Sequence, residues 1–119
     1  MIERYLTNTR MSQIVVNGER IYLAGQVPET ATADIYVQTR EVLSKVERLL
    51  ARVDAGKNDL LSATVWLTDI ADFAAFNEVW EDWMPSGCAP TRACVQAGLA
   101  RDGLRVEVAV IAARRGHDH

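Results

Sequence analysis

Arg92, Cys94 and Glu107 are the residues whose types and settings call for a chemical explanation. Arg92 stands in Ala89-Pro90-Thr91-Arg92-Ala93-Cys94-Val95, a run of small, apolar and β-branched residues that predicts a strand. A guanidinium buried there without a partner would be strongly unfavourable. Two partners suit it. One is a carboxylate of its own chain, such as Glu107 on the neighbouring strand; the other is a ligand carboxylate, which the planar fork can grip with two hydrogen bonds. Glu107 is an acid set among valines. It reads either as a solvated strand residue or, in a cleft, as a carboxyl raised in pKa by partial burial and suited to taking a proton from water. Cys94 lies two positions after Arg92, so both side chains project from the same sheet face. A small buried hydrophobe is the ordinary role of such a cysteine.

Other chemistries find little support. Cys88 and Cys94 are too far apart for a CxxC pair, and the histidines, His117 and His119, sit within the last three residues. A metal site, a Ser-His pair or a Cys-His pair is therefore not expected, and no cofactor is implied. The net charge of -3 and the scattered Lys and Arg argue against a nucleic-acid partner. The longest apolar run, Val108 to Ala113, is far short of the roughly 20 residues of a membrane span. No basic and then apolar export signal opens the chain, which makes the cytoplasm the simplest address. A length of 119 residues predicts a single domain over 1–119, with a flexible tail from about 115.

The elements that must position these residues follow from periodicity. Ser12–Val16 and Arg20–Ala24 are short β-prone runs around Asn17-Gly18, a strong hairpin signal because both turn positions need positive φ. Val42, Val46, Leu49, Leu50 and Val53 share one face of a helix predicted over about Asp34–Val53, with Gly56 at the expected C-cap. Leu60–Leu67 reads as a strand. A second helix is predicted over about Ala71–Trp83, its stripe of Phe73, Phe76, Trp80 and Trp83 assigned to the core. Strands near Arg92–Ala97 and Leu104–Ala113 complete the order β-β-α-β-α-β-β. This is an α+β fold, one mixed sheet with two helices on one face. Trp66, Ala109 and Ile111 would lie on the other face, which implies that further subunits cover it.

Pro90-Thr91-Arg92-Ala93-Cys94-Val95, then Gly98, then Val106-Glu107-Val108, resembles the signature of the Rid family. These are the YjgF-type reactive-intermediate deaminases, formerly called L-PSP endoribonucleases. The resemblance extends to Tyr22-Leu23-Ala24-Gly25-Gln26-Val27, to Thr64-Val65-Trp66-Leu67-Thr68-Asp69 and to Phe73 with Phe76-Asn77. It implies a chorismate-mutase-like fold, a homotrimer with a central barrel and three sites between subunits. It also implies cofactor-free hydrolysis of enamines and imines of 2-oxo acids. Carried over by motif, Arg92 would bind the substrate carboxylate and Glu107 would position water. Cys94 would line the cleft through its backbone carbonyl, and Gly25 would let backbone approach the ligand. The chain has Ala24 where the best-known deaminases have a serine, and Met11 where they have a tyrosine. The segment Arg10-Met11-Ser12-Gln13 looks more like less-characterised subgroups. The resemblance therefore leaves two readings, an imine/enamine deaminase and a carboxylate-binding trimer without catalysis; a ribonuclease fits the composition less well.

Overall fold

A computed structural model describes residues 1–115 of the chain. The described elements are β1 (Ile2–Thr7), β2 (Ser12–Asn17), β3 (Arg20–Leu23), α1 (Ile35–Ala51), β4 (Leu60–Leu67), α2 (Phe73–Trp83), β5 (Thr91–Gln96) and β6 (Val106–Ala113). They form one six-stranded sheet in the order β1-β2-β3-β6-β4-β5. Pairing is antiparallel throughout except between β4 and β5, which run parallel.

The alternation of β6 decides which face is buried. Val106, Val108, Val110 and Ala112 are buried, with Glu107, Ala109, Ile111 and Ala113 on the other side. Val65 pairs with Val108, and Ala63 with Val110, so their side chains join that buried face. Against it pack Val42, Leu43, Val46 and Leu50 of α1 and Phe76, Val79 and Trp80 of α2. Full burial of each large side chain stabilises the fold by about 1.5–3 kcal/mol, which makes this layer the source of its stability. On the opposite face, Val15, Tyr22, Ile111 and Ser62 follow one another across the registers, with Trp66 farther along β4 on the same face, and no layer of the described chain lies over them.

Two features depart from the sequence reading. A strand, β1, precedes the predicted hairpin; it is an outer strand, mostly exposed, whose charged residues conceal a β pattern. Its turn into β2 is closed by Asn8, whose side chain accepts from the N–H groups of Arg10 and Met11. The second departure is at the end of α1, which stops with Arg52 as C-cap, and Asp54 takes the left-handed conformation at φ 60°. Aspartate tolerates that region, so Gly56 is left extended and caps the short turn at Lys57–Asp59 instead. At the C-terminal end of the described residues, Arg115 donates from Nε to Asp59 at 2.8 Å. The rest of the expected tail, with His117 and His119, lies outside the described residues.

One buried polar side chain ties the loops to this layer. Gln38 of α1 is fully buried, donates to the carbonyls of Ala33 and Gly103 at 3.0 and 2.9 Å, and accepts from the Arg105 N–H at 2.8 Å. It thereby fixes the connection from β5 to β6, one residue short of where β6 begins. Gly103 takes a φ of +85°, and a Cβ there would stand 2.6 Å from the Ala31 carbonyl oxygen. Leu104 is buried beside it.

Candidate active site

Arg92 projects from β5, an edge strand, toward α2. Its strand partner is Ala63, whose side chain is buried under the helices. The Arg92 guanidinium carbon lies 5.2 Å from the Trp80 ring centroid, 5.6 Å from that of Phe76 and 5.8 Å from that of Phe73. Nη2 donates to Asn77 Oδ1 at 2.8 Å. Phe73, Phe76, Asn77 and Trp80 fall at i, i+3, i+4 and i+7, so one face of α2 supplies all four contacts. Among the described residues no carboxylate forms an ion pair with Arg92. Ring faces attract a cation without neutralising it, by about 0.5–2 kcal/mol each.

The aromatic stripe is therefore not all core. Phe76 and Trp80 are buried, but Phe73 is 41% exposed beside the guanidinium. Trp83 is half-buried and donates from Nε1 to Glu47 at 2.8 Å. Periodicity shows which residues share a face but not how far along the helix the covering layer extends.

Glu107 lies elsewhere. Its strand partner is Trp66, and both belong to the face that no helix covers. After β3 the chain bends so that Gln26 and Val108 exchange backbone hydrogen bonds of 2.8 and 3.0 Å. This bridge holds Gly25 against Glu107. A Cβ on Gly25 would overlap the Glu107 Oε2 and would come within 3.0 Å of its Cδ. The space a side chain would occupy at Gly25 is thus taken up by the carboxylate of this same chain. Ala24 donates its N–H to the Gln13 carbonyl at 3.0 Å, and its own carbonyl accepts from the Gln26 side chain at 3.0 Å. Met11 sits in the β1–β2 turn, exposed, with its N–H on Asn8.

The expected site residues therefore fall into two groups. Gly25 and Glu107 are in contact, with Ala24 adjoining; Arg92 and Cys94 share the other side of the sheet. An Arg92–Glu107 ion pair within one chain is excluded by this placement. Cys94 is half-buried, and burial pushes its thiol above the ordinary range although Arg92 pulls the other way. That thiol stays protonated near neutrality and is a poor nucleophile. The sequence reading gives Asn77 no role; the signal was one polar residue inside an otherwise aromatic stripe. Two grooves of the single chain have none of these expected site residues in their lining. One of about 610 Å³ runs between Leu6, Gln13, Gln26 and α1, and one of about 330 Å³ lies between α1 and α2.

Comparison with known proteins places this geometry in context. A family model described as Endoribonuclease L-PSP matches residues 1–114. A RutC family protein of Haemophilus influenzae is 38% identical over 112 residues, covering 93% of this chain and 97% of that protein. The crystal structure of a YjgF family member from Neisseria meningitidis is 38% identical with a TM-score of 0.93, covering 98% of this chain and 97% of that one. TdcF of Escherichia coli, which its name gives as a candidate reactive intermediate deaminase, is 32% identical over 104 residues, covering 82% of this chain and 81% of that protein.

Proposed function

This chain belongs to the Rid family, the YjgF/RutC group that the L-PSP model describes, and from that premise we propose that it hydrolyses reactive enamines and imines of 2-oxo acids. The observation that carries the proposal is Arg92, a cation held in place by aromatic rings and a neutral amide rather than by a carboxylate. A fork so placed is available to a ligand carboxylate.

In the proposed reaction Arg92 binds the substrate carboxylate and orients the C=N carbon. An enamine first tautomerises to the imine, gaining a proton at carbon and losing one from nitrogen to solvent. Water attacks the imine carbon while Glu107 accepts a proton from it; the nitrogen takes a proton from solvent as its π bond opens, and Glu107 later returns its proton to solvent. The resulting carbinolamine expels ammonia and leaves the 2-oxo acid. Imine hydrolysis proceeds in water unaided, so orientation and one proton transfer supply what is needed, and no covalent enzyme intermediate is required.

Arg92 and Glu107 project from opposite faces, so the proposed site forms where one copy's β5 and α2 meet another copy's Gly25 and Glu107. A homotrimer, with the uncovered sheet faces turned inward, satisfies both this requirement and the exposed Tyr22 and half-buried Trp66 and Ile111. Three copies in solution by analytical ultracentrifugation, and a Trp66→Glu variant that is both monomeric and inactive, are the expected results. A stable, active monomer would refute the shared site.

A dehydratase acting on threonine would generate 2-iminobutyrate in situ, with semicarbazide trapping as readout. Wild type is expected to outcompete the trap, and Arg92→Ala to lose that ability. Equal acceleration by both proteins would sink the carboxylate-anchor role. A second reading, a carboxylate-binding trimer without catalysis, is favoured by Ala24 and Met11, whose side chains offer no hydroxyl to substrate or water. Saturable binding of 2-oxobutyrate with no acceleration of any imine tested would select it.

A further inference from the structure

Asn77 is the sole hydrogen-bond partner of the Arg92 side chain among the described residues. Its acceptor is neutral. Of the acids along this stretch, Asp72 pairs with Arg105 at 3.2 Å and Glu78 accepts from Tyr36 at 3.0 Å, while Glu81, one turn beyond Asn77, forms no ion pair with Arg92. A guanidinium has five N–H donors, and this contact uses one. The rings of Phe73, Phe76 and Trp80 restrict the swing of the side chain but accept no conventional hydrogen bond. The result is a fork that is fixed in direction and keeps its charge and most of its donors.

Asparagine and aspartate have nearly the same shape and opposite consequences here. An aspartate in that place would form an internal ion pair with Arg92 and compete with any incoming carboxylate for the same donors. An alanine would release the fork but leave its charge intact.

We propose that Asn77 is a positioning residue for carboxylate recognition, holding Arg92 through an acceptor whose neutrality keeps the guanidinium available to the ligand. The inference rests on Arg92 being the carboxylate anchor. It adds that position 77 sets how much of the cation's attraction reaches the ligand.

The test uses 2-oxobutyrate as a stable carboxylate probe, titrated by NMR into full-length wild type, Asn77→Ala, Asn77→Asp and Arg92→Ala, each checked by thermal melting. Asn77→Ala is expected to weaken binding about 5-fold and the isosteric Asn77→Asp by more, about 20-fold or greater, because a charged hydrogen bond is roughly twice as strong as a neutral one. Melting temperatures of the two Asn77 variants should stay near wild type, with Asn77→Asp the higher. A purely structural role gives the reverse order, with the isosteric aspartate mild and alanine severe, and that order overturns the proposal. So does wild-type affinity in Asn77→Asp. Wild-type affinity in Arg92→Ala, or no saturable binding by wild type at millimolar probe, removes the anchor role itself and the inference with it. Loss of binding in Arg92→Ala alone, with both Asn77 variants unaffected, leaves the anchor standing and refutes only the role of Asn77.

Discussion

Replacing Gly25 with alanine should separate the fold from the proposed chemistry. The φ of Gly25 is not in the left-handed region, so the backbone accepts an alanine. The new methyl would overlap Glu107 Oε2 and stand 3.0 Å from Cδ and 3.2 Å from Cγ. Gln26 and Val108 hold the neighbouring backbone on both sides of the contact, so the flexible glutamate is the group that moves. Forcing that side chain off its rotamer costs about 0.5–1.5 kcal/mol, which lowers the melting temperature by no more than about 10 °C in a domain of this size. The carboxylate, however, must move by an ångström or more, and displacement on that scale costs about 100-fold in rate where the group handles the attacking water. Glu107→Ala alone removes the base and should lose about 10²–10⁴-fold. The decisive assay is a double-mutant cycle with the imine-hydrolysis readout and parallel melts. Gly25→Ala should cost nothing further in the Glu107→Ala background, because its effect runs through that carboxylate. A Gly25→Ala enzyme within about 3-fold of wild type would refute the reasoning, since errors of this size convert to under 1 kcal/mol. Independent, multiplicative losses in the double variant would refute it as well.

Cys94→Ala should retain turnover within about 2-fold, a difference of under 0.5 kcal/mol, and Cys94 of the wild type should resist iodoacetamide at pH 7 in a peptide-resolved assay, because burial keeps its thiol protonated. Gln38→Leu should destabilise the chain by about 3 kcal/mol or more in urea melts, since it strands the Ala33 and Gly103 carbonyls and the Arg105 N–H without a partner. Glu41 accepts from the Thr30 hydroxyl and N–H, which hold its carboxyl below the usual glutamate range. Its folded pKa lies below the unfolded one, so its contribution is present above about pH 4.3 and disappears as pH falls through the folded value. Urea midpoints measured from pH 7 to pH 3 should fall less steeply for Glu41→Gln than for wild type.

Much of the architecture is legible because two strong local signals are not contradicted by packing. The alternation of Val106, Val108 and Val110 against Glu107, Ala109 and Ile111 survives intact in β6. Asn17-Gly18 does close a hairpin, with Gly18 at φ +62°. Less legible is β1, whose Glu3 and Arg4 lie on a strand that needs no apolar face to pair at an edge. The relation of Arg92 to Glu107 is the instructive case. Alternation fixes parity within a strand, but β5 carries Ala93 and Val95 on one parity and Arg92 and Cys94 on the other. The more apolar parity is the exposed one, with Val95 46% exposed. The register of β5 on β4 and of β4 on β6 was needed to show that the two candidate residues face away from each other.

That opposed placement has a consequence for inheritance. Under the proposed mechanism the reaction belongs to a contact between chains, and no single chain carries it. A chain lacking Arg92 and a chain lacking Glu107 are each inert, yet mixed assembly restores about one cleft in four, the chance that adjacent copies supply both intact groups. A copy with one defect in an otherwise normal ring silences one cleft, whereas a copy with both silences two. Alleles of such a protein would complement or dominate according to which side of the sheet they alter.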